Sequence, residues 1–437
     1  MRLNDIYARA AIDVPAGTRE SPRREAVAFD ERQRSRPWEG ARVRDLELFR
    51  SFGDRLGEAM GRWRIAPLVR TDWAVAVERA EAGHSVPECL TAFRHRVESR
   101  WGHQQWELPM SQLCESVPFL WVACHLLAHL GRFVEVYNEV RAEYRALYHI
   151  KSRNHPVPDL EQRDEWFEAP FWVWRDDQPY RRRVFARQIG RQVILADDTG
   201  ESFATLPLNE SMEACCAVEV LRELPSKGIR FRTRALTTTL FARLFLADLF
   251  VHGIGGAKYD EMTDRIMTRF YGVSAPQFAT VSASLYLPFA EPFDVAARDE
   301  QRLMELIRDL SENPGRHAQS NHDPRFQELL ARKKALIAEQ HEADARTGLS
   351  RRERRSRTPE NAIRFRKLRE TTEALAAWTA DQRRSAEAEL QGVQAMRRAN
   401  TLLTNREFSF ALYPEEKIRD FMMGISGPMA EGDSSRV

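Results

Sequence analysis

The residues best suited to ligand chemistry form one continuous run, His252-Gly253-Ile254-Gly255-Gly256-Ala257-Lys258-Tyr259-Asp260. Glycines at the start of a helix let backbone N–H groups approach an anion, and the helix N-terminus adds positive potential. The ammonium group of Lys258 supplies a point charge. We therefore predict a phosphate or carboxylate site in this run. Its substrate-binding residues would be His252, Gly253, Gly255, Gly256, Lys258, Tyr259 and Asp260.

Two nucleotide-binding motifs do not fit this run. Lys258 is followed by Tyr259 instead of the Ser or Thr of the Walker pattern. The dinucleotide pattern requires a strand before the glycines, whereas the apolar spacing before His252 predicts a helix. An alternative stays open at this point, in which Gly253 ends one helix and the other glycines permit a tight turn between two helices.

A second candidate pocket lies near the middle of the chain. The turn Ser152-Arg153-Asn154-His155-Pro156 precedes a segment rich in aromatic residues: Trp166, Phe171, Trp172 and Trp174. Arg153 would bind a carboxylate of a polar small molecule, and His155 would act as an acid or base. The alternative, which the pattern favours, is a proline-rich connection from a helix to a strand over a tryptophan-rich core.

Metal chemistry has little support. His125 and His129 share one helix face at i and i+4, as a metal pair requires, but no third ligand accompanies them. Two histidines in a core helix are the favoured interpretation, and we predict no metal site. Cys215 and Cys216 are interpreted as small helix residues because adjacent cysteines bridge only with strain. The sequence does not identify a cofactor.

A basic segment near the C-terminal third offers another kind of site. Residues 351–369 contain nine Lys and Arg against two Glu, a local balance of 9 − 2 = +7. Such a segment binds nucleic acid or an anionic protein partner, although solvated surface charge is the favoured alternative. The candidate polyanion or partner-binding residues are Arg351, Arg352, Arg354, Arg355 and Arg357.

Composition excludes several classes of protein. The 437 residues carry 66 Lys and Arg against 64 Asp and Glu, so the chain does not act mainly as a polycation. Five cysteines without C-x-x-C spacing are typical of a reducing compartment. The first residues lack the apolar region of a signal peptide, and the apolar runs 117–130 and 240–251 are too short to span a membrane. We expect a cytoplasmic protein without membrane contact.

Five regions follow from the pattern of apolar and turn residues. They are an N-terminal strap (1–45), a helical region (46–150), an α/β core with a β-meander and the glycine-rich loop (151–292), a helical arm with a basic tip (293–404), and a C-terminal return and tail (405–437). Within the core we expect a helix buried on both sides through residues 240–251 and a strand at 279–287. The sequence Phe-Ser-Phe-Ala-Leu-Tyr at 408–413 is expected to be a short strand or extended return.

Three segments of the core occur in an order that resembles a known family. They are residues 249–256 (LFVHGIGG), 269–273 (RFYGV) and 281–285 (VSASL), followed by a long helical arm. This order resembles the bacillithiol synthase family, the cysteine-adding enzymes of low-molecular-weight thiol synthesis. The resemblance implies an α/β fold with a Rossmann-like core, helical and antiparallel β insertions, and a C-terminal antiparallel coiled-coil arm. It also implies a substrate pair of a sugar-malate conjugate and cysteine.

The chain departs from the family pattern at two places. Ala257, Lys258 and Tyr259 stand where the family has a Pro and a Glu, and the family's opening strand with a Gly-Gln loop has no counterpart here. The expected function is a C–N ligase that joins cysteine or another amino compound to a small anionic metabolite. The alternative is a non-catalytic protein whose basic arm docks a protein or nucleic acid. A homodimer is also possible, because coiled-coil arms pair within or between chains.

Overall fold

The computed structural model describes residues 10–31, 37–152, 155–211, 213–318, 321–347 and 359–426. The fold is mixed α/β and 57% helical. The chain forms two compact units. The first comprises Met1–Asp13, Ala26–Leu285 and Glu407–Val437, and the second comprises Val14–Glu25 and Tyr286–Arg406.

Helices occupy residues 46–147 of the first unit, as predicted. They are α1 (Leu46–Arg50), α2 (Phe52–Gly61), α3 (Val69–Glu81), α4 (Val86–Arg100), α5 (Met110–Glu115), α6 (Val117–Ala128) and α7 (Leu130–Leu147). Apolar residues at spacings of three and four face inward. Trp73, for example, packs against Phe49 and Phe52 with ring centroids 4.7 and 4.8 Å apart.

The first described segment contains a β-hairpin that the sequence pattern did not predict. Strands β1 (Ala11–Gly17) and β2 (Pro22–Ala28) pair with each other. Phe29 follows β2 and is fully buried, with its ring 5.6 Å from that of Phe52. This segment therefore does more than cover a surface, because Phe29 belongs to the core of the first unit.

The sheet of the first unit is an antiparallel meander, as predicted. It consists of β3 (Gln162–Arg163), β4 (Trp166–Arg175), β5 (Arg182–Ile189), β6 (Gln192–Asp197) and β7 (Ser202–Pro207), with β8 (Ile229–Thr233) paired to β4. A short helix, α8 (Cys215–Arg222), connects β7 to β8. In the β4–β8 register Trp172 lies opposite Arg232, and Trp174 lies opposite Arg230.

Alternate residues of β4 and β8 point to opposite faces of the sheet. Phe171 and Val173 of β4, together with Phe231 of β8, belong to the hydrophobic core that includes α6 and α7. The opposite face carries Trp172 and Arg232. The two strands thereby separate a core face from an aromatic and cationic face.

The glycine-rich segment forms a β–α–β unit. Helix α9 (Ala235–Phe245) is followed by β9 (Phe250–His252), α10 (Ile254–Ile266) and β10 (Phe278–Thr280), and β9 and β10 are parallel. The expected buried helix through residue 251 is wrong. It ends at Phe245 because the N–H groups of Leu246 and Ala247 both bond to the carbonyl of Ala242, at 3.1 and 2.9 Å. Leu249 and Val251 are exposed.

The strand expected at residues 279–287 is much shorter than predicted. Only Phe278–Thr280 pairs with β9, whose three residues offer no longer partner. One further bond, from the N–H of Val281 to the carbonyl of His252 at 2.8 Å, ends the ladder. Strand length here is limited by the partner strand, which residues 279–287 alone do not specify.

The second unit is largely helical in its described part. Its helices are α11 (Ala297–Glu312), α12 (Pro314–His317), α13 (Pro324–Thr347), α14 (Pro359–Ala376) and α15 (Ala380–Leu403). Helix α13 packs against α14, and α11 packs against α15. The ring of Phe326 lies 5.6 Å from that of Trp378. Asn400 fixes the entry to this unit through two hydrogen bonds of 2.8 Å with the backbone of Phe293.

The C-terminal return differs from the prediction. Phe410–Leu412 form a 3₁₀ turn instead of a strand, because Ser409 caps the turn by accepting a hydrogen bond from the N–H of Ala411. Helix α16 (Glu415–Ser426) follows. Its first residue, Glu415, accepts hydrogen bonds from Arg100 and Trp101 at 2.8 and 2.9 Å. The tail beyond residue 426 lies outside the described residues.

No single described helix has both the length and the apolarity needed to cross a bilayer. Helices α6 and α7, which meet at an 87° bend, have both when taken together. Phe119 and Leu126 of α6 and Phe133 of α7 are fully buried.

The start of α4 yields a pH-dependent prediction. Glu88 accepts hydrogen bonds from the hydroxyl and the backbone N–H of Ser85, both at 2.7 Å, and these bonds lower the pKa of Glu88. A lowered folded-state pKa means that this stabilisation is complete above the unfolded pKa and is lost as the pH falls through the folded pKa. We expect Glu88→Gln to lower the melting temperature at pH 7 and to reduce its fall between about pH 5 and pH 3. Glu78→Gln, on the exposed face of α3, is the control and should preserve the wild-type pH profile.

Candidate functional site

The structure places the glycine-rich run at the junction of β9 and α10. His252 ends the strand, Gly253 is the N-cap of α10, and Gly255 and Gly256 lie in its first turn. The expectation of a helix before the loop is therefore wrong, and so is the alternative in which Gly253 ends a helix. A strand followed at once by a glycine-rich helix start is the arrangement that the dinucleotide pattern requires. Gly253 and Gly255 match the first two glycines of that pattern, but Lys258 stands at the position of the third.

Two of the predicted residues, His252 and Asp260, come together in a buried polar cluster. Asp260 on α10 is completely buried. Its Oδ2 is 2.9 Å from Nε2 of His252 and accepts a hydrogen bond of 2.8 Å from Nη1 of Arg243. Arg243, which the sequence analysis did not single out, is also buried and lies 2.6 Å from Asp264 Oδ1. It donates another hydrogen bond to the carbonyl of Pro276.

Arg243 ties together elements that are adjacent in space but separate in sequence. It comes from α9, Asp260 and Asp264 come from α10, and Pro276 comes from the segment before β10. The guanidinium also lies 4.7 Å from the ring centroid of Phe278. A buried charge of this kind requires partners on several sides. The cluster therefore fixes the geometry of the β–α–β unit.

The ring of His252 explains why a glycine is needed at position 256. A Cβ atom at position 256 would overlap Nδ1 of His252, whereas a Cβ at 253 or 255 would meet no atom within 4 Å. Nε2 of the same ring lies beside Asp260. Since Asp260 and Gly256 closely surround the two ring nitrogens, His252 has a packing role that links the strand to the helix. The anion-site prediction for this run stays a prediction, with open space at Gly253 and Gly255.

The remaining predicted residues of the run are arranged around this cluster. Lys258 is exposed on α10, while Tyr259 is half-buried and packs against the core. Of the second candidate pocket, Arg153 lies outside the described residues. His155 is exposed, and its carbonyl accepts a hydrogen bond of 2.9 Å from Arg145.

The paired histidines and cysteines have ordinary surroundings. The ring centroids of His125 and His129 are 4.8 Å apart, and His125 stacks on Tyr271 at 5.7 Å. Burial, and then the neighbouring His129, lower the pKa of His125. No group of three or more potential metal ligands occurs in the part of the chain that the structure describes. Cys215 and Cys216 begin α8 as exposed free thiols with sulfur atoms 3.8 Å apart.

A large cavity lies elsewhere, on the aromatic face of the sheet. It encloses about 1080 Å³, and we call it the tryptophan–arginine cavity. The outward side chains of β4 and β8 form its floor, and the start of α4 and the segment leading into α5 form its sides. The lining includes Trp38, Trp172, Trp174, Arg42, Arg181, Arg232, Arg234, Glu39, Glu88 and Glu107.

Arg232 at the cavity floor is held rigidly. Only 4% of the residue is exposed. It forms a bidentate pair with Glu39 at 2.9 and 2.6 Å and a third bond of 2.8 Å to Glu115. Burial opposes the charge on Arg232, but the hydrogen bonds and charges of the two carboxylates outweigh it and raise its pKa. The guanidinium thus stays charged beside the ring of Trp174, at 5.7 Å.

A half-buried arginine, Arg234, pairs with a buried glutamate and supports Trp172. Arg234 lies 2.7 Å from Oε1 of the buried Glu168, whose other oxygen is 3.2 Å from Arg183. The guanidinium of Arg234 stacks over the ring of Trp172 at 4.2 Å. Contacts of this kind orient the indole and are favourable when desolvated.

The acidic residues of the lining are already engaged. Glu39 binds Arg232, and Glu88 binds Ser85. Glu107 pairs with Arg94 and lies 3.3 Å from His95. A carboxylate that serves as a hydrogen-bonded structural partner is poorly placed to act as a general base. The geometry therefore favours binding over catalysis in this cavity.

Trp172 and Trp174 of this cavity were singled out from the sequence, but Trp38 and the arginines were not. The signal was present in the alternation Ile229-Arg230-Phe231-Arg232-Thr233-Arg234, which puts arginines on one face of a strand and apolar side chains on the other. What the sequence could not show is that β8 lies beside β4. Phe171, which was grouped with these tryptophans, points into the core.

The candidate residues of the basic arm tip, Arg351, Arg352, Arg354, Arg355 and Arg357, lie outside the described residues. The neighbouring part of α14 is described, and Arg366, Lys367 and Arg369 are exposed on it. Arg369 pairs with Glu373 one turn later, at 2.7 Å. The polyanion site at the tip stays a prediction.

No protein-family model matches the chain, and no curated protein is significantly similar to it.

The packing of His252 against Gly256 predicts that alanine substitution changes stability differently at two neighbouring glycines. We expect Gly256→Ala to lower the free energy of unfolding by about 1–3 kcal/mol, because the added methyl group displaces the His252 ring. Gly255→Ala adds its methyl group to open space and should be neutral or stabilising by about 0.5 kcal/mol. Urea unfolding of both variants measures the difference. Equal effects would show that His252 does not restrict position 256.

The buried cluster predicts a large effect of removing one charge. Asp260→Asn leaves the buried Arg243 short of a partner and should lower the free energy of unfolding by about 3 kcal/mol. Asp264→Asn is the matched control, because its carboxylate is 39% exposed, and it should cost less than about 1 kcal/mol. Thermal and urea unfolding provide the two measurements. Similar losses in both variants would contradict the central role of Asp260.

Proposed function

We propose that this protein binds a small organic anion that carries a ring, in the tryptophan–arginine cavity. The observation that supports the proposal most directly is the combination of three tryptophans and four arginines around one space of about 1080 Å³. Ligand sites are typically concave, of roughly 300–1,000 Å³, with aromatic walls and a few placed polar groups. This cavity has a volume near that range, aromatic walls and polar groups among its lining.

The presence of a ring in the ligand is inferred from the tryptophans of the cavity. Trp38 and Trp172 are half-buried, so each keeps some surface for contact with a ligand. Trp172 is held on one side by Arg234, which fixes its orientation before a ligand arrives. A fixed indole costs little conformational entropy on binding and offers a large flat contact area.

The negative charge of the ligand is inferred from the lining. Four arginines against three glutamates leave a balance of 4 − 3 = +1 among the described lining residues. Arg232 and Arg234 are paired with Glu39, Glu115 and Glu168, the last two of which lie outside the lining, so the positive excess at the cavity is small. Arg181 is exposed, with its guanidinium 5.9 Å from the ring centroid of Trp174. This balance suits a single carboxylate or phosphate better than a polyphosphate.

The more specific expectations of the family resemblance remain proposals alongside this one. A ligase that adds cysteine to a sugar-malate conjugate would need such an anionic substrate. The parallel unit β9–α10–β10 is the part that resembles half of a Rossmann-like core, and α13 packed on α14 is the part that would form a coiled-coil arm. Docking of nucleic acid or protein at the basic tip, and a cytoplasmic location, likewise stay predictions.

Isothermal titration with three probes tests the proposed function. The probes are malate, glucose 6-phosphate and adenosine monophosphate, which share the negative charge and differ in the ring. We expect binding by a ring-bearing probe, and we expect Trp172→Ala to weaken it about 10-fold or more, since stacking on one aromatic side chain contributes about 1–3 kcal/mol. Arg181→Ala should weaken the binding of adenosine monophosphate and leave the binding of uncharged adenosine unchanged.

Two variants outside the cavity serve as matched controls. Trp121→Ala removes a half-exposed tryptophan from α6, and Arg187→Ala removes an arginine that lies 4.9 Å from the ring of Trp166. Neither residue lines the cavity. Both variants should bind like the wild type. Absence of binding for all three probes, or equal loss in Trp121→Ala and Trp172→Ala, would contradict the proposal.

A further inference from the structure

The kind of ring that the tryptophan–arginine cavity accepts depends on the sides of the cavity. The half-buried Trp172 on its floor offers a flat indole, which Arg234 holds from one side. The sides come from the start of α4 and from the segment that leads into α5. A ring that stacks on the indole of Trp172 therefore meets these sides with its edge.

Most of the charged side chains around the cavity are already bonded within the protein. Ser85 and Glu88 share a hydrogen bond of 2.7 Å, and Glu39 accepts one of 2.6 Å from Arg232. Much of the hydrogen-bonding capacity of the lining is therefore used before a ligand enters. The lining residues engaged in this way are Glu39, Ser85, Glu88, Glu107, Arg232 and Arg234.

Three other polar side chains of the lining keep their hydrogen-bonding groups available. Thr91 lies on α4, and Ser111 and Gln112 lie on α5. None of these three side chains bonds to another residue that the structure describes. Together they can exchange a few hydrogen bonds with the edge of a ring.

The rest of these sides is largely apolar. Leu108 and Met110 line the cavity and are 54% and 41% exposed, and Pro87 and Pro109 line it as well. A ligand that covers Leu108 and Met110 removes apolar surface from water, which favours binding. Hydroxyl groups placed against the same side chains would lose their hydrogen bonds to water without gaining others.

Sugar rings and aromatic rings make different demands on such sides. A sugar ring that stacks on an indole directs several hydroxyl groups outward from its edge, and each of them needs a partner when buried. A heteroaromatic ring has two apolar faces and only a few nitrogen or oxygen atoms at its edge. Thr91, Ser111 and Gln112 can satisfy those few atoms, while Leu108 and Met110 cover the rest of the edge.

We infer that the anion bound in this cavity carries a planar heteroaromatic ring, as a nucleoside monophosphate does. The inference rests on the proposed function, since it names the class of ring for the same cavity. Proteins recognise single nucleobases in this manner, by stacking on side chains and by hydrogen bonds to the edge of the base. At about 1080 Å³ the cavity also has room for the ribose that joins a base to its phosphate.

Isothermal titration with four phosphates tests the inference. Adenosine monophosphate and uridine monophosphate carry a heteroaromatic ring, glucose 6-phosphate carries a sugar ring, and ribose 5-phosphate is the nucleotide without its base. We expect adenosine monophosphate to bind at least about 10-fold more tightly than either sugar phosphate. Gln112→Ala and Met110→Ser, both at exposed positions, should each weaken its binding about 5-fold or more. Gln104→Ala is the matched control, because Gln104 is exposed nearby but does not line the cavity, and it should bind like the wild type.

The possible results separate this inference from the proposed function. If glucose 6-phosphate binds as tightly as the two nucleotides and Trp172→Ala weakens it, the proposed function stands and the inference is overturned. Equal affinities in Gln112→Ala, Gln104→Ala and the wild type would also overturn it, because the edge of the ring would then not contact α5. Absence of binding for all four phosphates would contradict the proposed function, and the inference with it.

Discussion

Strand β4 imposes the constraint on which the rest of the first unit depends. It pairs with β5 along one edge and with β8 along the other. One face of this central strand contributes to the helical core and the other lines the cavity. Side chains such as Phe171 complete the hydrophobic core with the helices, while Trp172, one residue later, lies outside it. A shift of one residue in register would exchange these faces and bury the arginines of β8 among the helices. The cavity and the core are therefore set by the same register.

Buried arginines stabilise particular arrangements of the chain more than they stabilise the fold as a whole. Arg232 and Arg243 are almost inaccessible to solvent, and each contacts two carboxylates. Desolvating such groups costs several kcal/mol per ion, and pairing offsets that cost only when the geometry is correct. Arg232 selects the position of Glu39 at the cavity wall. Arg243 selects the position of α10 against β9. At each site the local arrangement of the chain depends on the carboxylates that pair with the buried arginine.

Sequence reasoning predicted the elements that have a strong period and missed those decided by long-range pairing. The apolar spacing of α1 to α7 and the alternation of β4 to β7 were sufficient to predict them. The run 240–251 looked like one buried helix because its residues are apolar, yet its second half is an exposed turn and strand. The glycines pointed to an anion site, but contact with His252 explains Gly256. The arginines of β8 gained their meaning only from the neighbouring strand.

The pairing of Arg232 has a consequence for the order in which this protein folds. Its partners lie 193 residues away at Glu39 and 117 residues away at Glu115, so one guanidinium joins three distant segments. Contacts of such large sequence separation form late, because the closure entropy of the intervening chain opposes them until other structure is present. The helices and the meander, whose contacts are local, can form before the cavity wall does. The cavity wall therefore requires the closure of two long loops, which the hairpin contacts of the meander do not.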